Sequence, residues 1–360
     1  MHFKIALLRG DGIGPEVTEE ALRTLDVVAR RFSHEFEYVE AYAGGEAWDR
    51  YGEHLPRETI DRCRASDAIL KGPFGGPLSE LHSPKWSGIE QTAILGLRRE
   101  FDLFMNLRPV SVYPEVVALS PLRPEIVEGA DMLIVRELTS GIYFGERGER
   151  VVEGERTVWD TESYSESEIA RITHGAFQVA RTRRRHVTLV GKSNVLNSSV
   201  LWRDVFARIA PEYPDVTHDY LHVDNASMQI VVNPRQFDVV LTNNIFGDIL
   251  SDEASVLAGS LGMLGSASLN ADGFGMYEPI HGSAPDIAGQ GKANPIAMIL
   301  SGAMMLRLSF KLEEEATAME SAVRAALAEG LRTPDIEGAG GSTVTTQRMG
   351  EAIARGINPA

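Results

Sequence analysis

KIALLRGDGIGPEV, residues 4–17, decides the fold class. Lys4 to Arg9 is an apolar run of strand length, glycines at 10, 12 and 14 interrupt it, and Pro15 opens a helical pattern that continues to Phe32. A second round comes next: a strand near Glu37 to Ala41, a helix from about Pro56 to Ser66, then a strand Asp67 to Lys71 that runs into GPFGGP. Strands and helices alternating in this way predict an α/β protein with a largely parallel sheet. Ligands of such sheets gather beyond the carboxyl ends of the strands, so the loop after Gly72 is a candidate ligand loop. The first turn is not spaced as the G-x-G-x-x-G of a dinucleotide-binding Rossmann unit, and no P-loop lysine follows it. Spacing alone leaves GDGIGP open between a phosphate cradle and a tight turn that needs positive φ.

The chain of 360 residues is long enough for two domains with ample core. Its 51 acidic residues against 35 Lys and Arg give a net charge of −16, which disfavours nucleic acid and anionic membranes as partners. Cys63 is the sole cysteine, which excludes an intrachain disulfide and a multi-thiolate zinc site. No apolar run reaches membrane-spanning length, and the first residues read as a strand rather than a signal peptide. The expected location is the cytoplasm.

In so acidic a chain, local arginines stand out. ILGLRREFDLFMNLRP, 94–109, carries Arg98, Arg99 and Arg108 beside apolar residues. Arginine binds carboxylates bidentately and keeps its charge when partly buried, so Arg98 and Arg108 suit an organic acid, while Arg99 suits a surface ion pair. Arg136 ends the apolar strand ADMLIVREL and Tyr143 comes shortly after in GIYFG. VVEGERTVWDT, 151–161, alternates about Gly154 as an antiparallel arm of the kind that pairs with another chain. The helix Ser165 to Arg184 ends in a basic run that faces the negative end of its own dipole. HVTLVGKSN, 186–194, ends a strand in Lys192, a candidate base or phosphate ligand, with Asn194 beside it. YLHVDNASMQIV, 220–231, places Asp224 at a strand-to-helix junction. In NNIFGDILSDEASVLAGSLGML, 243–264, Asp248 and Asp252 project from one helix face a turn apart, either as an ordinary solvated pair or as half of a site for Mg²⁺ or Mn²⁺. Ile249, Leu250, Val256 and Leu257 mark the side expected to pack inward. GFGMYEPIHGSAPDIAGQGKANPIAMIL, 273–300, reads as a long functional loop before an apolar helix, Pro295 to Leu308.

Six stretches in order, GDGIGPEV at 10–17, LRREFDLFMNLRP at 97–109, VRELTSGIYFG at 135–145, DNASMQ at 224–229, NNIFGDILSDE at 243–253 and HGSAPDIAGQGKANP at 281–295, closely resemble the metal-dependent β-decarboxylating dehydrogenases. Within that family, the isocitrate/isopropylmalate dehydrogenases, they are most similar to the isopropylmalate branch. The resemblance implies a two-domain α/β fold with a large mixed parallel and antiparallel sheet, not a Rossmann fold. It implies a cofactor-side domain of residues 1–103 and 259–360 and a central domain, 104–258, with the dimer interface and the arm. The implied reaction is NAD-dependent oxidative decarboxylation of (2R,3S)-3-isopropylmalate to 4-methyl-2-oxopentanoate and CO₂ in leucine biosynthesis.

The same resemblance implies roles. Arg98, Arg108 and Arg136 bind the malate carboxylates, and Asp224, Asp248 and Asp252 hold Mg²⁺ or Mn²⁺ against the substrate. Lys192 is the base and Tyr143 the acid. Lys192 and Asp224 reach into the partner's site, with Asn194 and Val195 accompanying them, so the implied assembly is a homodimer with shared active sites. Cofactor binding falls to Ile13 and to the loop carrying Glu278, His281, Gly282, Ser283, Ala284, Pro285, Asp286, Ile287 and Asn294. A carboxylate at Asp286 accepts hydrogen bonds from the adenine ribose hydroxyls and repels a 2′-phosphate, which favours NAD. Ile94 and Leu95 give an apolar wall for the alkyl group. The spacing back from Arg98 allows Glu90 or Gln91 as the accompanying acid, and Glu90 is taken. Chemistry agrees with these roles: oxidising a 2-hydroxy acid needs a base and a hydride acceptor, and loss of the β-carboxylate leaves an enolate that a cation stabilises. Lysine, ordinarily near 10.4, must fall by about 3 units to serve as base at neutrality. The alternatives are a sister enzyme acting on D-malate or tartrate, a Mg²⁺-dependent phosphoryl enzyme using GDGIGP, and a silent metal or nucleotide binder. Arg9 before the glycine turn and Phe74 in KGPFGGP depart from the family pattern on the expected nicotinamide side.

Overall fold

The computed structural model describes residues 1–357, and the chain divides into two compact units. The first unit opens with β1 (His2–Leu8), α1 (Gly14–Phe32), β2 (Glu35–Glu40), α2 (Gly45–Tyr51), α3 (Arg57–Arg64), β3 (Ala68–Lys71) and α4 (Leu95–Glu100). The strand, glycine turn and helix expected from residues 4–32 are therefore present. Ile5, Ala6, Leu7 and Leu8 are fully buried, which suits a parallel strand covered on both faces. Helix α1 has Pro15 in its first turn and buries Val17, Ala21, Leu25 and Val28 as one stripe. Truncating Leu25 to alanine would cost about 2–5 kcal/mol.

At Phe104 the chain enters the second unit, Phe104–Val112 with Leu122–Leu257, while Tyr113–Pro121 lies with the first unit. The second unit holds β4 (Met105–Ser111), α5 (Pro124–Val127), β5 (Asp131–Glu137), β6 (Arg147–Val152), β7 (Glu155–Asp160), α6 (Glu166–Arg181), β8 (His186–Gly191), α7 (Asn197–Ile209), β9 (Thr217–His222), α8 (Val223–Val232), β10 (Val239–Thr242) and α9 (Asn244–Ser255). Its strands run in the order β4-β5-β10-β8-β9, parallel from β5 to β9 with β4 antiparallel to β5. β6 and β7 form the expected hairpin, with Gly154 at φ 87° in its turn. Helix α6 starts on a capping box between Ser165 and Glu168.

From Ala258 the chain belongs to the first unit again and supplies β11 (Gly265–Leu269), β12 (Gly275–Pro279), α10 (Ile296–Leu308), α11 (Glu313–Ala328) and α12 (Thr346–Ile357). The strand order in this unit is β2-β1-β3-β12-β11, parallel except for the β11–β12 pair. Each unit thus combines four parallel strands with one antiparallel strand, which bears out the α/β class and the mixed sheet.

Two sequence expectations are corrected and one element is added. Residues 273–300 are not one loop, because Gly275–Pro279 is the strand β12, paired to β11 from Gly265↔Pro279 to Leu269↔Gly275. Its ladder depends on a neighbouring strand and its own first residue lacks a side chain, so its local signal is weak. Helix α2 was not foreseen, since seven residues are too few to display a helical period. Of the four apolar residues expected inside α9 and its extension, Leu250 and Leu257 are buried but Ile249 is 59% and Val256 50% exposed.

Candidate active site

Parallel pairing in the second unit brings polar residues to one end of its strands. Thr242 of β10 is paired with Arg136 of β5 and with Val190 of β8, and Gly191 of β8 with His222 of β9. The next residues along are therefore Asn243 and Asn244 at the start of α9, Lys192 after β8, and Asp224 at the start of α8. Antiparallel register sets Arg108 opposite Ile134 and Asn106 opposite Arg136. With alternation along each strand, Arg108 and Arg136 share one sheet face.

Arg136 is almost fully buried. Its Nε donates to the Asn244 carbonyl at 2.9 Å, its Nη2 to Asn244 Oδ1 at 2.8 Å, and its Nη1 to Asp248 Oδ1. The arginine stem crosses α9 at Gly247, where an added Cβ would lie 2.5 Å from Arg136 Cγ. Arg108 Nη1 donates to Ser251 Oγ at 2.7 Å and to Asp252 Oδ1 at 3.1 Å, and its Nη2 lies 3.7 Å from Asp248 Oδ1. Tyr143 Oη donates to Asp248 Oδ2 at 2.7 Å. Asp248 is thus approached by two guanidiniums and a phenol. Asp252 remains 69% exposed, and the oxygen-only donors of this aspartate pair suit a hard divalent cation.

Lys192 Nζ lies 2.6 Å from Asp224 Oδ1. That ammonium, first, and the backbone hold the exposed Asp224 carboxyl below its usual range. The Lys192 carbonyl accepts from the N–H groups of Val195 and Leu196, and Asn194 and Val195 are exposed on the resulting turn. Among the described residues, no group of three or more His, Cys, Asp or Glu side chains gathers as a metal site. The structure brings Asp248 and Asp252 together and keeps Asp224 with Lys192.

In the first unit the glycine turn is welded to its neighbours. Asp11 N donates to the Pro73 carbonyl and Ile13 N to the Ser283 carbonyl, each at 2.8 Å. A Cβ at Gly12, whose φ is 57°, would lie 2.0 Å from the Ser283 oxygen. The Asp11 carboxylate accepts from the N–H groups of Gly45, Glu46 and Gly75 at 3.1–3.2 Å, although burial, the larger effect, raises its pKa. The N–H groups of Asp11, Ile13 and Gly14 are thus spent within the chain, which favours the tight-turn reading of GDGIGP.

Glu278 on β12 receives Lys71 Nζ at 2.5 Å and faces Arg98 Nη2 at 3.7 Å. Both Lys71 and Arg98 are buried. Arg98 comes after an unusual start to its helix: Glu90–Ile94 is a π-helical turn that runs into α4, with Glu90 exposed and Ile94 and Leu95 half-buried. Arg99 is exposed, as expected. In the second loop, His281 is held neutral-leaning by burial, Gly282 and Asp286 are exposed, and Ala284, Pro285 and Ile287 are half-buried. Asn294 donates to Asp335 at 3.0 Å and accepts from the N–H of Ile296 at the start of α10. Of the two departures, Arg9 is engaged by Glu19 and Glu40, and Phe74 packs in an apolar cluster with Trp86 and Ile89, its ring centroid 4.1 Å from Lys71 Nζ.

Residues 4–353 match the model of the isocitrate/isopropylmalate dehydrogenase family. The chain belongs to that family. As an isocitrate/isopropylmalate dehydrogenase family member it is an oxidoreductase. It is 54% identical to the 3-isopropylmalate dehydrogenase of Geobacillus kaustophilus (strain HTA426), over 99% of this chain and 96% of that one. It is 51% identical to that of Clostridium pasteurianum, over 98% of both. Among solved structures, isocitrate dehydrogenase from Methylococcus capsulatus superposes with a TM-score of 0.87 at 35% identity, covering 99% of each chain. The apo β-decarboxylating dehydrogenase from Thermococcus kodakarensis gives 0.80 at 35% identity, covering 99% and 96%.

Sequence reasoning missed Asn244, which ties Arg136 to α9, Ser251, which holds Arg108, and the buried Lys71. The Asn243–Asn244 doublet at a helix start was the available signal: Asn243 caps α9 by accepting from the N–H of Phe246. The other two carry no local signal, because their partners lie far away in the chain. No helix of the described residues is long and apolar enough to cross a membrane.

Proposed function

We propose that this family member catalyses the NAD-dependent oxidative decarboxylation of (2R,3S)-3-isopropylmalate to 4-methyl-2-oxopentanoate and CO₂, a step of leucine biosynthesis, in the cytoplasm. The observation that carries the reading is the convergence of Arg108, Arg136 and Tyr143 on Asp248. It sets two carboxylate-binding groups and a proton donor around one candidate cation ligand. The names of the relatives favour isopropylmalate over D-malate or tartrate.

In this reading Arg98, Arg108 and Arg136 bind the substrate carboxylates. Ile94 and Leu95 take the alkyl group, with Glu90 beside them. Asp224, Asp248 and Asp252 would hold Mg²⁺ or Mn²⁺; Glu278, Asp286 and the loop to Asn294, with Ile13, would hold NAD. When bound, the nicotinamide accepts the hydride and the cation stabilises negative charge on the substrate oxygen. Lys192 takes the hydroxyl proton, and Tyr143 returns a proton to carbon once CO₂ has left. The Asp286 carboxylate selects against a 2′-phosphate.

We also infer a homodimer in which Lys192, Asp224, Asn194 and Val195 serve the partner's site. The exposed Lys192–Asp224 pair supports it, as do Met228, Val232, Ile249 and Val256, between 50% and 63% exposed on or just beyond α8 and α9. Such apolar surface is characteristic of an interface.

The test is a panel of 3-isopropylmalate, D-malate, tartrate and isocitrate, each with NAD⁺ or NADP⁺ and Mg²⁺, monitored by the absorbance of reduced nicotinamide. The highest kcat/KM is expected for 3-isopropylmalate with NAD⁺. Better turnover of D-malate would overturn the substrate assignment.

A further inference from the structure

Glu137 is the last residue of β5, adjacent to Arg136 in sequence, and its side chain is fully buried. Neither the arginine nor the tyrosine roles above require it. Its Oε1 accepts from the N–H of Thr139 at 2.8 Å and from the Thr139 hydroxyl at 3.1 Å, and its Oε2 accepts from the N–H of Ser140 at 3.0 Å. Both carboxylate oxygens are therefore spent on the next turn of the chain. On the far side of that turn, the Thr139 hydroxyl accepts from Arg171 Nη2 of α6 at 2.7 Å, and the Arg171 guanidinium lies 4.2 Å over the Phe104 ring.

The pinned turn is connected to three site residues. The Ser140 carbonyl accepts from Asn244 Nδ2 at 3.0 Å, which leaves Asn244 Oδ1 directed at the Arg136 guanidinium. Gly141 comes next at φ 74°, and an added Cβ would lie 2.2 Å from the Tyr164 hydroxyl. That hydroxyl in turn accepts from the N–H of Asn244 at 3.0 Å. Gly141 opens the 3₁₀ turn Gly141–Tyr143, at whose end Tyr143 reaches Asp248. The chain from Arg136 to Tyr143 leaves the strand, turns about Glu137, and returns to the same aspartate.

We propose that Glu137 is a positioning residue of the active site: its carboxylate fixes the Thr139–Ser140 backbone, and through it Asn244, the Arg136 guanidinium and the Tyr143 phenol. The inference rests on the preceding assignment of Arg136 and Tyr143 to the hydroxy-acid reaction. An unsatisfied buried carboxylate is unfavourable, so the oxygens hold these donors in one geometry. Burial, opposed by the three hydrogen bonds and Arg171, raises the acid to about 7, so the carboxylate form that accepts these hydrogen bonds is reached as pH rises through neutrality. Small displacements of such groups reduce turnover by up to about a hundredfold.

The experiment uses the purified full chain with 3-isopropylmalate, NAD⁺ and Mg²⁺. Glu137→Gln keeps the size but replaces one acceptor by a donor that faces a backbone N–H. It is expected to lower kcat about tenfold to a hundredfold, with the KM for NAD⁺ within about twofold. Asn244→Ala cuts the same connection further along, so the double variant is expected to be no slower than the slower single variant, because residues acting as a unit are not additive. Multiplicative losses, or a kcat for Glu137→Gln within about twofold of the parent, overturn the proposal. Should Glu137→Gln not fold, Thr139→Val removes only the hydroxyl shared with Arg171. A several-fold loss of kcat is then expected, and an unchanged kcat overturns it. If the parent oxidises no hydroxy acid, the functional reading fails instead. A crystal structure of Glu137→Gln then decides the positioning, which unaltered Tyr143–Asp248 and Arg136–Asn244 contacts overturn.

Discussion

In the first unit the loops beyond the strand ends satisfy one another, and the charges there, the buried Lys71 and the half-buried Glu278, form a pair. Asp11 takes three backbone N–H groups, Ile13 donates to Ser283, and Asn294 spans Asp335 and the start of α10. In the second unit the strand ends instead present charge: Arg108, Arg136 and Tyr143 meet at Asp248, and Lys192 meets Asp224. Both units have four parallel strands and one antiparallel strand, so the difference comes from the residues at and just after each strand end. Glycine and proline come after β1 and β3, allowing close backbone approach. Arginine, lysine and paired aspartates end or succeed the strands of the second unit, and such groups can exchange their ion pairs for a charged substrate.

The largest departure from this pattern is expected at Lys192. Replacing it by methionine should lower kcat by about 10²–10⁴, while calorimetric binding of Mg²⁺ persists; normal turnover would remove Lys192 from the role of base. Next comes a pH effect on the second unit's stability. Burial raises Glu137 from 4.5 to about 7 in the folded chain, so between those values the folded state holds a proton that the unfolded state has lost. Stability from this group is complete below pH 4.5 and falls as pH rises to 7, by on the order of 3 kcal/mol. Denaturant midpoints of the parent and Glu137→Gln should therefore shift relative to each other across that range, and parallel curves would contradict the assignment.

Gly247→Ala tests the arginine's path across α9. With a Cβ 2.5 Å from Arg136 Cγ, it should cost about 1–3 kcal/mol of stability and raise the KM for the hydroxy acid about tenfold, leaving NAD⁺ affinity in place. The reverse selectivity is expected in the first unit. Asp286→Lys should weaken NAD⁺ by about tenfold, roughly 1.4 kcal/mol, and change the hydroxy-acid KM little. Equal effects on both would mean that the two regions do not divide the work in this way.

Local sequence made much of this legible. The run from Lys4 to Phe32 announces its strand, turn and helix, because apolar length, glycine and proline act within a few residues. Arg108 was visible as an arginine among apolar residues in an acidic chain, Arg136 as the end of an apolar strand with Tyr143 soon after, and Asp248 and Asp252 as a pair one turn apart on a helix face. β12 was hidden because its ladder is formed with β11 and its glycine carries no strand signal. The outward turn of Ile249 and Val256 was hidden because an apolar run in a helix does not say which of its residues the fold turns outward. Glu137 looked like one acid among many, and only its donors, brought in by the fold, distinguish it.

The weld between the Gly12–Ile13 turn and Ser283 has a practical side. The backbone of the 281–287 segment is shaped by contacts at Ser283, three residues before the exposed Asp286. In the nucleotide-binding role proposed for Asp286, a designer who wished to exchange one nucleotide for its phosphorylated counterpart would rewrite the side chain at 286 and its immediate surface neighbours while leaving the scaffold's architecture as it stands.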